Sequence, residues 1–311
     1  MNIGSSLKGK IIIALFFTIV SEGVISLFIV NFLKLPLIFF IVFLLTLWFI
    51  QWIISPYLVG RNSVELLKED PYYGWVYEIV ERVSKLAGIK TPKVYLVDER
   101  YPNAFAYGNY ITGKRIGITL PLLQILTPEE LEAVIGHEIG HIKHNDVEIG
   151  LAIGLLPSIL GFISNLLINL GWITLIFAGD EIDLIVGLSM LAIGGVLFVV
   201  TFFLQLFVLW FNRLRESYAD YFSYQLFNEK AWNLARALAK IEIYMQNVRL
   251  DPFRGIIVTV PPTKVKETDP DLLIEDLLHE KTSVFSDILS THPHPAKRVK
   301  MIYELTKPTL F

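Results

Sequence analysis

Thr127-Pro-Glu-Glu-Leu-Glu-Ala-Val-Ile-Gly-His-Glu-Ile-Gly-His-Ile-Lys-His-Asn-Asp-Val-Glu148 decides how the rest of this 311-residue chain is read. Thr127 suits a helix N-cap, Pro128 the first helical position, and Glu130 closes a capping box. Leu131, Val134, Ile135, Ile139 and Ile142 recur at helical spacing, so an amphipathic helix follows the cap. On it His137 and His141 stand four apart, on one face. Two imidazoles so placed can meet one tetrahedral ion, and Glu138 beside them can reach a metal-bound water as general base. His144, about 60° further round the helix, reads as facing water or the membrane surface. Directly after this stretch the composition changes.

From Ile149 to Phe211 the charged residues are Asp180, Glu181 and Asp183; from Ile11 to Leu58 they are Glu22 and Lys34. The chain carries 27 basic and 30 acidic residues, so nearly all its charge lies elsewhere. A helix needs about 20 apolar residues to cross a bilayer core of roughly 30 Å. Four spans are expected: Ile11–Val30, Leu37–Ile54, Glu148–Leu170 and Leu184–Phe211. The first follows Lys8 and Lys10 as a signal peptide would. Its apolar run is too long for one and shows no small-residue cleavage site, so it reads as an uncleaved anchor.

The net charge of −3 carries no basic excess for nucleic acid. The apolar content of 53% excludes a disordered chain. With no cysteine, disulfides, thiolate metal sites and cysteine nucleophiles are excluded too.

Lysine and arginine near the spans set orientation. Lys8, Lys10, Arg61, Lys68, Lys143, Arg213 and Arg215 flank one side. The far turns hold only Lys34 and, over Gly171–Asp183, no basic residue. Both termini and the polar segments are therefore expected on the cytoplasmic side of a cell membrane. The expected organisation is a membrane hairpin over 1–58, a first polar part over 59–146, a second hairpin over 147–211 and a second polar part over 212–311. Glu22, inside the first span, is either a functional carboxylate or a hydrogen-bonded group at a helix contact.

In the polar parts, Tyr73–Leu86 reads as a helix and Lys93–Asp98 as a strand. Asn103–Gly108 and Lys114–Leu120 flank a turn at Gly113, suggesting a small antiparallel sheet. Phe211–Leu226, Glu229–Tyr244, Asp271–Leu278 and Ala296–Leu305 read as helices, and 247–270 as a surface loop. A metal needs a third protein ligand. Glu216, with Asp220 four residues on, is the candidate, Asp220 accepting a ligand histidine's free ring N–H. The alternative is an exposed acidic pair bridged to Arg213 or Arg215. Topology favours the first: the second hairpin leaves the membrane face at the histidines and returns to it at Glu216. Zinc suits a His₂Glu set with an open position, though another divalent ion could fill it.

His137-Glu-Ile-Gly-His141, two spans, then Arg215-Glu-Ser-Tyr-Ala-Asp220 resemble the HtpX-like membrane zinc metallopeptidases, a group related to CAAX prenyl proteases. The resemblance covers most of the chain. It implies four transmembrane helices with a cytoplasmic, mostly α-helical zincin-like domain, and one zinc held by His137, His141 and Glu216. It also implies a catalytic Glu138, with Asp220 orienting a histidine. Asn103, Ala104, Phe105 and Ala106 resemble the strand that pairs with an extended substrate, or are an ordinary sheet strand. Thr291-His-Pro293 resembles a late motif whose histidine lies near the site, so His292 either donates to an oxyanion or caps the next helix. His294 and Arg298 share that segment, and His279 reads as a surface residue. The implied activity is cleavage of membrane or misfolded proteins in heat-shock quality control. Three other functions stand beside it. A transporter should have more charged groups within its spans than Glu22 alone. A prenyl-protein endopeptidase should have more spans. A non-catalytic metal-binding scaffold should have lost Glu138.

Overall fold

The computed structural model describes residues 3–246, 269–283 and 286–307. Four helices are long and apolar enough to cross a membrane: α1 (Ile3–Phe32), α2 (Leu37–Val59), α6 (Asp146–Ile176) and α7 (Glu181–Phe227). All four expected spans lie inside them. The chain divides into two compact units, one of Ile12–Ile50 with Ile149–Phe211, the other of Met1–Ile11, Gln51–Glu148 and Asn212–Phe311.

The first unit consists of the apolar stretches alone. Its interior is small: Leu156, Leu160 and Leu204 pack with Ile25, Ile29, Phe40 and Leu44. Large apolar side chains such as Phe28, Phe39, Trp172 and Phe198 point outward, the reverse of a water-soluble bundle and the pattern of a lipid-facing one. Close helix approach replaces a large core. Ser164 Oγ donates to the Gly194 carbonyl at 2.8 Å, and a Cβ on Gly187 would come within 2.7 Å of Leu175.

The second unit holds the sheet and the remaining helices. The strands are β1 (Ser63–Leu66), β2 (Lys93–Val97), β3 (Ala104–Asn109) and β4 (Gly113–Thr119), in spatial order β1-β2-β4-β3. The sheet is mixed, which corrects the antiparallel expectation. β3 and β4 form the expected hairpin, but β2 lies parallel to β4, with Val94 opposite Ile116. Alternation marks a strand without naming its partner, and here the chain passes beyond β4 before turning back, leaving β3 outermost. The short β1 carries too few residues to stand out in the sequence.

Around the sheet lie α3 (Gly74–Ala87), α4 (Leu120–Ile125), α5 (Pro128–Lys143), α8 (Trp232–Gln246), α9 (Pro270–His279) and α10 (Pro295–Thr306). The core joins Val76, Ile79 and Val83 of α3 to Leu131, Ile135 and Ile139 of α5, Leu234 and Leu238 of α8, and Val299 and Ile302 of α10. Each apolar position expected on α5 is buried. Its capping box is formed: Glu130 N–H donates to Thr127 Oγ1 at 3.3 Å, and Thr127 N–H to Glu130 Oε2 at 2.9 Å. Thr127→Ala should therefore cost about 1 kcal/mol, read as a lower thermal unfolding midpoint with zinc binding kept.

Two helix boundaries differ from expectation. α7 runs unbroken through the expected junction at Phe211 between the fourth span and a separate helix, because neither Gly nor Pro interrupts 196–227. A 3₁₀ turn, Asn228–Ala231, precedes α8. The loop expected over 247–270 lies outside the described residues except for its last two.

Candidate metal centre

α5 and α7 meet along a seam of small residues. A Cβ on Gly136 would lie 2.5 Å from Phe227, and one on Gly140 would lie 3.1 Å from Phe222 and 3.5 Å from the Ala219 Cα. Ser223 Oγ donates across the seam to the Ala133 carbonyl at 3.0 Å. The glycines are four apart, as are Ala219 and Ser223. This close approach brings the histidine face of α5 against the acidic face of α7. Gly136→Leu should force the helices apart, costing about 1–3 kcal/mol and lowering zinc retained per chain by mass spectrometry.

His137, His141 and Glu216 converge, with one ligand atom from each within 4.8 Å of the others. His137 and His141 are 3% and 8% exposed, Glu216 8% and Asp220 0%, so the alternative of an exposed acidic pair is set aside. Arg213 instead donates to the Ile288 and Ser290 carbonyls, both at 2.9 Å, and Arg215 to the Asp146 carbonyl at 2.6 Å.

Each ligand histidine is held from behind. His137 Nδ1 lies 2.8 Å from Asp220 Oδ1, and His141 Nδ1 lies 2.7 Å from Asp146 Oδ2. An Nδ1–H donated to a carboxylate leaves Nε2 as a bare lone pair. The two Nε2 atoms face each other at 3.2 Å; Glu216 Oε1 lies 3.3 Å from His141 Nε2, and Oε2 lies 3.5 Å from His137 Nε2. Lone pairs and a carboxylate so close repel one another unless a cation lies among them. Around a tetrahedral zinc with bonds of about 2.0–2.1 Å, ligand atoms stand roughly 3.3 Å apart. The donor set fits zinc.

The electrostatics agree. Burial opposes charging His137, but Asp220 and Glu216 outweigh it and raise its pKa. Burial opposes charging His141 too, yet Glu216 and Asp146 push it up to about 10. The pocket is built for positive charge between these carboxylates. Glu138, 5% exposed, is raised chiefly by burial, against which His137 and His141 act. Its Oε2 accepts from the Ala106 N–H at 2.8 Å.

Asn103–Ala106 lines one wall of the cavity, of about 180 Å³, that contains the histidines, Glu138 and Glu216. Asn103 N–H donates inward to Thr119 Oγ1 at 2.8 Å, whereas Ala106 N–H points to Glu138. His292 lines the same cavity, its Nδ1 3.0 Å from Glu216 Oε2. The cap of α10 is His294, accepting from Ala296 N–H at 3.3 Å. Arg298 is buried and grips Asp220 with Nε at 2.8 Å and Nη2 at 2.6 Å. His279 is exposed as expected. His144 is not turned to water: it is half-buried between the Tyr218 and Phe222 rings, its Nδ1 2.7 Å from the Gly140 carbonyl.

Asp146 and the glycine seam were missed in the sequence. The spacing Gly136-x-x-x-Gly140 is a signal for close helix approach. Asp146 gave none, because it reaches His141 only through the turn at Asn145, whose φ is 57°.

Two histidines of an HExxH helix, a carboxylate from a distant helix as third ligand and an adjoining buried glutamate define a zinc metallopeptidase site. Residues 72–306 match Peptidase family M48, and the chain belongs to that family. It is 80% identical over 311 residues to Protease HtpX homolog 1 of Sulfurisphaera tokodaii, covering all of both chains. It is 57% identical to Protease HtpX homolog 1 of Sulfolobus acidocaldarius, covering 99% of this chain and 100% of that one. The fold is similar to the crystal structure of S. mikatae Ste24p, with a TM-score of 0.55 and 18% identity over 93% of this chain and 67% of that one. The chain is an HtpX-type membrane zinc metalloprotease.

Proposed function

We propose that this enzyme is an endopeptidase that cleaves membrane or misfolded proteins at the cytoplasmic face of the cell membrane, in protein quality control. The observation that carries the reading is the buried Glu138 carboxylate, adjacent to His137, His141 and Glu216 yet outside the ligand set. One zinc per chain, when bound, makes water acidic near neutral pH and polarises a carbonyl. Glu138 takes the proton from the attacking water and passes it to the leaving amine. Asp220 and Asp146 keep the histidines in the tautomer that presents Nε2. His292 donates to the oxyanion that forms on the substrate carbonyl.

An extended substrate adds to the outer edge of β3 along Asn103–Ala106. Main-chain pairing of this kind suits loose sequence preference. A strand bound there takes over the Ala106 N–H and frees the Glu138 carboxylate. The lysines and arginines beside the spans support the cytoplasmic placement.

The test uses the full chain in nanodiscs with casein as substrate. A chelator should abolish cleavage, and stoichiometric zinc should restore it. Cleavage that persists after zinc has been shown absent by mass spectrometry sinks the reading.

A further inference from the structure

The hairpin that carries β3 ends in Tyr110-Ile111-Thr112, a tip with no charged residue. Tyr110 and Ile111 are 68% and 66% exposed, an unusual pairing for the end of a hairpin facing water. The tip is tied to the helix ends that leave the apolar band. Asn109 Nδ2 donates at 2.6 Å to the carbonyl of Trp52, near the end of the second span. Tyr110 OH bonds Asn145 Oδ1, and Lys114 pairs with Glu148, both beside the start of α6.

Two amides of the tip are bonded from within it. Asn109 Oδ1 accepts from the Ile111 N–H at 2.9 Å, the Thr112 N–H at 2.7 Å and the Thr112 hydroxyl at 3.0 Å. A loop that leaves water must have its amide groups paired in this way. Lys114 Nζ lies 4.6 Å from the Tyr110 ring centre, and its charge is matched by Glu148. Tyr57 and Leu58, at the end of α2, are also largely exposed, and Arg115 lies over the Tyr57 ring at 5.5 Å. Tyrosine with a snorkelling cation is the composition of a membrane–water boundary.

We propose that the β3–β4 tip is a membrane-interface anchor. Tyr110 and Ile111 enter the boundary between headgroups and acyl chains, and the bilayer thereby helps fix the strand that borders the metal site. The partner is the lipid surface itself. Continuity with the spans, an uncharged tip and the bonded Ile111 and Thr112 amides favour it over a protein partner. Because the residues that insert carry no charge, insertion does not require anionic lipid. The inference rests on the four helices crossing the membrane.

The absence of cysteine makes a direct test possible. Single cysteines are placed in the full chain by Ile111→Cys, Val42→Cys within α2 and Leu86→Cys on α3. Each is spin-labelled and reconstituted in nanodiscs with or without anionic lipid. Oxygen concentrates in lipid, and a soluble nickel chelate concentrates in water. The label at 111 should show an oxygen-to-nickel accessibility ratio several-fold above that at 86, approaching that at 42, with both lipid mixtures alike. A water-like label at 111 with a lipid-like label at 42 overturns the anchor. Water-like labels at both overturn the membrane crossing and the anchor with it. Spin–spin broadening at 111 also overturns it, by showing a second copy on the tip. So does protection at 111 that appears only after casein is added.

Discussion

Replacing Glu138 with Gln lowers proteolysis by a factor of about 10²–10⁴ while zinc content stays at the wild-type level. Glu138 is not among the three converging ligands, so its change leaves their donor atoms untouched. Gln has nearly the same shape, and its side-chain oxygen still accepts from the Ala106 N–H, which now meets Glu138 Oε2 at 2.8 Å. What Gln lacks is a site for a proton. The loss therefore separates proton transfer from folding and from metal binding. Glu216→Gln should behave differently, losing zinc and activity together, because its carboxylate is one edge of the ligand triangle. Casein cleavage and zinc by mass spectrometry, on the same preparations, distinguish the two. Unchanged cleavage in Glu138→Gln would remove Glu138 from the chemistry.

What could be read in the sequence was what neighbouring residues determine. Thr127 and Glu130 cap each other across three positions, so the start of α5 was legible, and with it the shared face of His137 and His141. The spans were legible because apolar length alone marks them. Glu216 was within reach because one uninterrupted hairpin returns the chain to where it left. Features joined only through space were not legible. Asp146 lies five residues from His141, a spacing that on a continuous helix points elsewhere. It meets the ring only because Asn145 turns the chain. Arg298 was noticed only as a neighbour of His292. Its grip on Asp220 spans 78 positions and depends on α10 docking beside α7. The parallel pairing of β2 with β4 follows from strand order, which alternation cannot encode.

That long-range wiring has its own expected result. Asp146→Ala and Asp220→Ala should each weaken zinc binding by about 10–100-fold, measured by competition with a chelator of known affinity. Both carboxylates hold an Nδ1 at 2.7–2.8 Å, so removing either frees its imidazole to turn and to change tautomer. The two variants should part in stability. Asp220 is 0% exposed and receives two N–H bonds from Arg298, itself 3% exposed. Its loss strands a buried guanidinium, a defect that typically costs about 3–5 kcal/mol. Arg215, by contrast, bonds the Asp146 main-chain carbonyl at 2.6 Å, a contact that Ala keeps, and gives up only a looser ion pair, its Nε 3.7 Å from Asp146 Oδ1. Asp146→Ala should thus lose zinc with a smaller fall in the unfolding midpoint of the metal-free protein than Asp220→Ala, which gives up two short bonds to a buried guanidinium. Asp146→Asn should recover most of the affinity, since its side-chain oxygen still accepts the Nδ1–H. Zinc affinity unchanged in Asp146→Ala would mean that the turn through Asn145, and not the carboxylate, orients His141.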